Sequence, residues 1–164
     1  MNFGQKSHTL SEATKKLEHY CAYQERCHKE VVSKLREMRM IQQVIDQIVT
    51  HLIQENYLNE ERFARAFARG KFRIKKWGKN RIVSELKQRA ISKYNIKAAL
   101  SEIDDDDYLM VFNQLAEKRI GEIKEKHLQK RKKKLVDYLL YRGWESNLVY
   151  EKAQELATKK ANSN

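Results

Sequence analysis

Between Arg62 and Arg81 the chain carries nine basic side chains and no acidic one: Arg62, Arg65, Arg69, Lys71, Arg73, Lys75, Lys76, Lys79 and Arg81. A guanidinium is planar and donates two hydrogen bonds at once, so it suits phosphate or carboxylate; an ammonium adds a compact point charge. On a helical wheel Arg62, Arg65, Arg69 and Arg73 fall on one stripe about 80° wide. Phe63, Phe67, Gly70 and Ile74, with Ala66 beside them, form the neighbouring stripe. This pattern assigns the Phe stripe to packing and the Arg ladder to a partner, because the run holds no compensating acid. Arg62 has a second reading, as a local pair with Glu60 or Glu61. Phe72 points away from the packing stripe, where it is free to stack on a base, whereas Trp77 falls nearer the core side.

A second basic cluster runs from Lys130 to Lys134. Five consecutive charges wrap all round a helix, so only some can face one partner. Lys130, Arg131, Lys133 and Lys134 are the candidates, and a nonspecific phosphate contact and a solvated helix start stand equally open. Catalytic signatures are lacking: the chain has no Gly-rich phosphate loop, no H-E-x-x-H and no nucleophile elbow, so no enzyme and no cofactor are expected. Cys21 and Cys27, with His19 and His28 beside them, are spaced too widely for a zinc pair and no second cluster follows; they read as reduced thiols. Asp104–Asp107 lacks the glycine turn and the later Glu of a calcium loop. It reads as a solvated linker that charges the next helix start, so no metal is expected.

The elements that must position these groups follow from composition. The 164 residues include 34 basic and 22 acidic side chains, a net charge of +12, with no proline and five glycines. Scarcity of both helix breakers favours helices joined by tight turns, and the apolar residues suffice for a core. A surface so cationic attracts polyanions or the acidic face of a protein. No apolar run reaches membrane-spanning length and the start, MNFGQKSH, is not of signal-peptide type, so a cytoplasmic protein without a membrane partner is expected.

Helical spacing predicts an all-α chain. Thr9 and Glu12 form a capping-box pair before Ala13, Leu17, Tyr20 and Cys21. Further helices are expected over 28–38, 42–56, 60–75, 80–89, from Ser92 to near residue 103, and over 108–119, 126–142 and 146–158. The pattern also repeats. Val32/Leu35, Val83/Leu86 and Val136/Leu139 are offset by 51 and 53 residues, and Ile45, Ile96 and Val149 follow at the same offsets. The chain thus reads as three tandem three-helix units, 9–57, 58–104 and 105–160, between tails at 1–8 and 161–164. Units of this size are marginal alone, so they should lean on one another in an elongated, curved body.

Within the middle unit, Asn59-Glu-Glu-Arg-Phe-Ala64, Phe67, Trp77-Gly78, Arg81-Ile82, Glu85-Leu86 and Arg89-Ala-Ile91 closely resemble the central motif of the RecX family. Two positions depart from it: Lys79 where the family often has proline, and Ala90 where it usually has glycine. The resemblance implies a triple three-helix fold and a monomeric, non-catalytic regulator of the RecA recombinase. Such a protein would lie on the RecA–single-stranded DNA filament and lower ATP hydrolysis, strand exchange and coprotease activity in DNA repair and the SOS response. The charge by itself also fits a stand-alone, sequence-nonspecific DNA-binding protein, or an RNA-associated helical one.

Overall fold

The computed structural model describes residues 7–161. Among them are nine helices and no strand: α1 (Leu10–Tyr23), α2 (His28–Glu37), α3 (Gln42–Gln54), α4 (Glu60–Arg73), α5 (Lys79–Gln88), α6 (Lys93–Leu100), α7 (Asp105–Glu122), α8 (Leu128–Tyr141) and α9 (Ser146–Ala161). The tails expected at 1–8 and 161–164 lie for the most part outside the described residues.

Side-chain caps explain several of the starts. Thr9, Asn59 and Ser92 each accept from the backbone N–H three residues on, at 2.9–3.2 Å. Asp104 accepts from the N–H groups of Asp106 and Asp107, both at 3.1 Å, and α7 therefore begins earlier than the expected residue 108. Glu12 lies 3.8 Å from His8. A carboxylate reaching back to a helix start is found at α2 instead, where Glu30 accepts from the Cys27 N–H at 2.9 Å.

The repeat is visible in the backbone. The second helix of each triplet ends on a left-handed residue at the same offset: Arg39 (φ 59°), Ala90 (φ 57°) and Gly143 (φ 91°). The following N–H then returns to the helix, Met40 to the Leu35 carbonyl, Ile91 to Leu86 and Trp144 to Leu139, each at 3.1–3.2 Å. This is the Schellman closure, which satisfies carbonyls that the helix end would leave orphaned. Leu35, Leu86 and Leu139 are fully buried, and Ile45, Ile96 and Val149 are buried one helix later.

The side chains form two cores. Leu17, Leu35, Ile45, Ile48, Leu52 and Leu58 centre the first, made by α1–α3. The second is continuous across α4–α9 and is built around Phe63, Phe72, Tyr108, Phe112, Leu139 and Trp144. Cys27 belongs to this second core although it precedes α2.

Two expectations for α4 change. Phe72 is buried, with its ring 5.9 Å from that of Tyr108, and is not available for stacking on a base. Ile74, expected in the core, is 78 % exposed. A narrow stripe presumes a helix packed on one side, but α4 packs on both α5 and α6, and its buried face widens to include Ala64, Ala68 and Phe72. The helix stops at Arg73, and Ile74, its C-cap, lies past Phe72, the last buried residue of that face.

Candidate partner-binding surface

The Arg ladder is largely occupied within the chain. Arg62 donates through Nε to Glu25 at 2.6 Å and through its terminal nitrogens to the Asn56 side chain and the Asn56 and Tyr57 carbonyls at 3.0–3.3 Å. Arg65 bonds Glu61 at 3.0 and 3.1 Å and Glu102 at 2.9 Å, and Arg69 reaches the other Glu102 oxygen at 3.2 Å. Hydrogen bonds from Arg65, then Arg69, hold the Glu102 carboxyl below its ordinary range, and Glu102 and Glu61 push Arg65 up. The run contains no acid between Arg62 and Arg81, yet folding brings Glu25 and Glu102 to it from neighbouring turns. The premise that the ladder lacks compensating acids is therefore corrected. The local pairing considered for Arg62 is made by Glu25, not by Glu60 or Glu61.

The remaining cations of the run gather where α4–α6 meet α7–α9. Two glycines set this joint. The Gly78 N–H donates to the Arg142 carbonyl at 2.8 Å, and Asn80 N–H to the Gly143 carbonyl at 3.0 Å. A Cβ on Gly78 would lie 2.4 Å from the Gly143 oxygen, and one on Gly143 would lie 2.2 Å from the Arg81 Cβ. Only backbone without side chains permits this approach. Around it, Arg142 donates to the Lys75 carbonyl at 2.6 Å and the Trp144 indole to the Lys76 carbonyl at 3.2 Å. The Tyr108 hydroxyl accepts from the Lys79 N–H at 2.9 Å and donates to the Glu145 carboxylate at 2.7 Å. Burial raises the Tyr108 phenol well above its ordinary value, so it stays a neutral donor.

With its backbone clamped from below, the 73–81 segment turns its cations outward. Arg73 and Lys75 are exposed and Lys76 half-buried, and none meets a carboxylate among the described residues. Lys71 sits over Phe67 and Trp77, 5.4 and 5.0 Å from the ring centroids. Arg81 lies between two rings, 4.2 Å from Trp77 and 4.8 Å from Tyr141. Trp77 is accordingly half-buried against the core on one side and capped by cations on the other. Lys79 is drawn to Asp105 at 3.3 Å and lies over Tyr108.

The second cluster divides as the helical wheel requires. Arg131 is buried and donates to the Ile120 carbonyl, so it is a structural group rather than a surface one. Lys130, Lys133 and Lys134 are all exposed; Lys133 pairs with Asp137 at 2.5 Å and Lys134 with Glu125 at 3.7 Å, whereas Lys130 meets no carboxylate among the described residues. Sequence spacing gave no hint of Tyr141 and Arg142, which reach the basic segment from sixty and sixty-seven residues away.

Tandem three-helix units carrying a basic surface edged with aromatic rings define an all-α helical-repeat protein. Family models for the second and third three-helix domains of RecX match residues 59–100 and 105–152, together over half of the chain. The regulatory protein RecX of Lactobacillus johnsonii is 30% identical over 119 residues, covering 68% of this chain and 44% of that one. That of Yersinia enterocolitica is 36% identical over 101 residues, covering 62% and 59%. The chain thus spans about half the length of the curated relatives it matches. The crystal structure of RecX from Lactobacillus salivarius shares the fold with a TM-score of 0.74 at 24% identity, covering 90% of this chain and 96% of that one. A second RecX crystal structure gives 0.78 at 22% identity, covering 89% and 73%. This chain belongs to the RecX family.

Proposed function

We propose that the protein binds the filament that RecA forms on single-stranded DNA and lowers RecA activity there, acting by binding rather than catalysis. Membership of a family of regulatory proteins supports the reading, and so does the placement of unpaired cations on one edge of a helical-repeat body. The observation that carries it is the 73–81 segment: its backbone is spent on the joint, and its Arg73, Lys75 and Lys76 side chains have no intrachain acid among the described residues. The units over 9–57, 58–104 and 105–160 act as successive segments of one monomer in the cytoplasm, each able to meet a different part of a long partner. Arg73, Lys75, Lys76, Lys71, Arg81 and Lys130 are the contacts, while Arg62, Arg65, Arg69 and Arg131 hold the fold that presents them.

The test is to add the protein substoichiometrically to RecA on single-stranded DNA and follow ATP hydrolysis. Inhibition is expected, and its absence over a broad concentration range removes the proposal. The net charge of +12 favours a second reading, a stand-alone DNA-binding protein. Under that reading, binding to bare DNA is tight and steeply salt-dependent. Weak binding to bare DNA beside strong binding to filaments rejects it.

A further inference from the structure

Trp77, Arg81 and Tyr141 form a stack that ends in an open ring. The Arg81 guanidinium lies between the two rings, 4.2 and 4.8 Å from their centroids, and donates to the Tyr141 carbonyl at 3.3 Å. No carboxylate among the described residues neutralises Arg81. Trp77 is wedged between this guanidinium, Lys71 and the Phe67 ring, so one end of the stack is anchored in the core. Tyr141, at the other end, is 76 % exposed.

A phenol ring held by a cation on one face and bare on the other is a ready surface for another flat, polarisable ring. Its surroundings narrow the choice of ring. Arg142, the next residue, bonds the Lys75 carbonyl, and Trp144 bonds the Lys76 carbonyl, so the Lys75–Lys76 segment lies beside the stack with its side chains uncommitted. A ring carried on a chain of negative charges meets both features at once.

We propose that the outer face of Tyr141 is a stacking platform for an unpaired nucleic-acid base, with Lys75 and Lys76 taking the adjoining phosphates. This rests on the reading above that the protein works on a filament containing single-stranded DNA, and adds that it touches the bases directly. Bases in a duplex are already stacked on their neighbours, so the site selects single strands; every base has a π-face, so it does so without regard to sequence.

The experiment measures binding of the full chain by fluorescence anisotropy to a short oligothymidylate, to an abasic strand of the same length, and to a duplex. RecA ATP hydrolysis is followed with the same preparations. The wild type is expected to bind the oligothymidylate about tenfold more tightly than the abasic strand. Tyr141→Ala should lose that preference while its abasic binding and thermal midpoint hold, and Tyr141→Phe should keep it. Equal wild-type affinity for the two strands overturns the proposal, as does a base preference that survives Tyr141→Ala. A wild type that inhibits RecA but binds both strands equally overturns the stack alone. One that shows the Tyr141-dependent preference without inhibiting RecA sustains the stack and overturns the filament reading.

Discussion

Arg65 and Arg69 converge on the single carboxylate of Glu102, and that shared acid has a pH consequence. Its folded-state pKa is depressed, chiefly by the hydrogen bond from Arg65. The stabilisation is therefore fully present above the unfolded value of about 4.3 and is lost as pH falls through the lower folded value. Urea midpoints measured from neutral pH down to acid should fall more for the wild type than for Glu102→Gln. Ala90 offers a second test. It holds φ 57°, a conformation that costs an L-residue about 1–2 kcal/mol and glycine little. Glycine loses more backbone entropy on folding, so Ala90→Gly should raise stability by about 0.5–1 kcal/mol in thermal or urea denaturation. The family resemblance already marks this place as one where glycine is usual, and the positive φ supplies the reason.

At the scale of elements, the two joints between triplets differ in kind. The joint between α4–α6 and α7–α9 is a shared core locked by Gly78 against Gly143. Gly143→Ala would add a Cβ 2.2 Å from that of Arg81 at a residue with φ 91°, and overpacking of this sort costs about 1–3 kcal/mol before the backbone strain is added. A marked loss of thermal midpoint is expected, with loss of the Tyr108–Glu145 bond visible as altered tyrosine absorbance. The joint between α1–α3 and α4–α6 is more polar by comparison: besides Cys27, which is buried in the second core, it has Arg62–Glu25 and Lys29 donating to the Gln88 carbonyl at 2.9 Å. Both members of the Arg62–Glu25 pair are about a third exposed, so a double-mutant cycle should return about 1 kcal/mol or less. Helix order and the repeat were readable from spacing because amphipathic period and caps are local properties. The buried face of α4 was not, since its width depends on how many neighbours pack against it.

For the molecule as a whole, charge is distributed less simply than the sequence total suggests. Reversing Arg73, Lys75 and Lys76 to Glu is expected to abolish RecA inhibition while leaving helicity and thermal midpoint near wild type, as read by circular dichroism. Reversing Arg65 and Arg69 is expected to lower the midpoint first, because two new acids would face Glu61 and Glu102. If the Arg65/Arg69 variant stays fully stable and alone loses inhibition, the ladder is the contact surface after all. The salt dependence of partner binding should weaken with the 73–76 reversals, since those cations meet no carboxylate among the described residues.

The amino-acid sequence by itself determined the all-α class, the three-fold pattern and the family resemblance, because each resides in spacing, caps and residue order along one segment. It also located the basic run to the right stretch. Only the tertiary structure decided which of those cations are free. Glu25 and Glu102 are distant in sequence from the arginines they neutralise, and Tyr141 and Arg142 are distant from the segment they brace. A charge is available to a partner only if nothing closer has claimed it, and folding decides what is close.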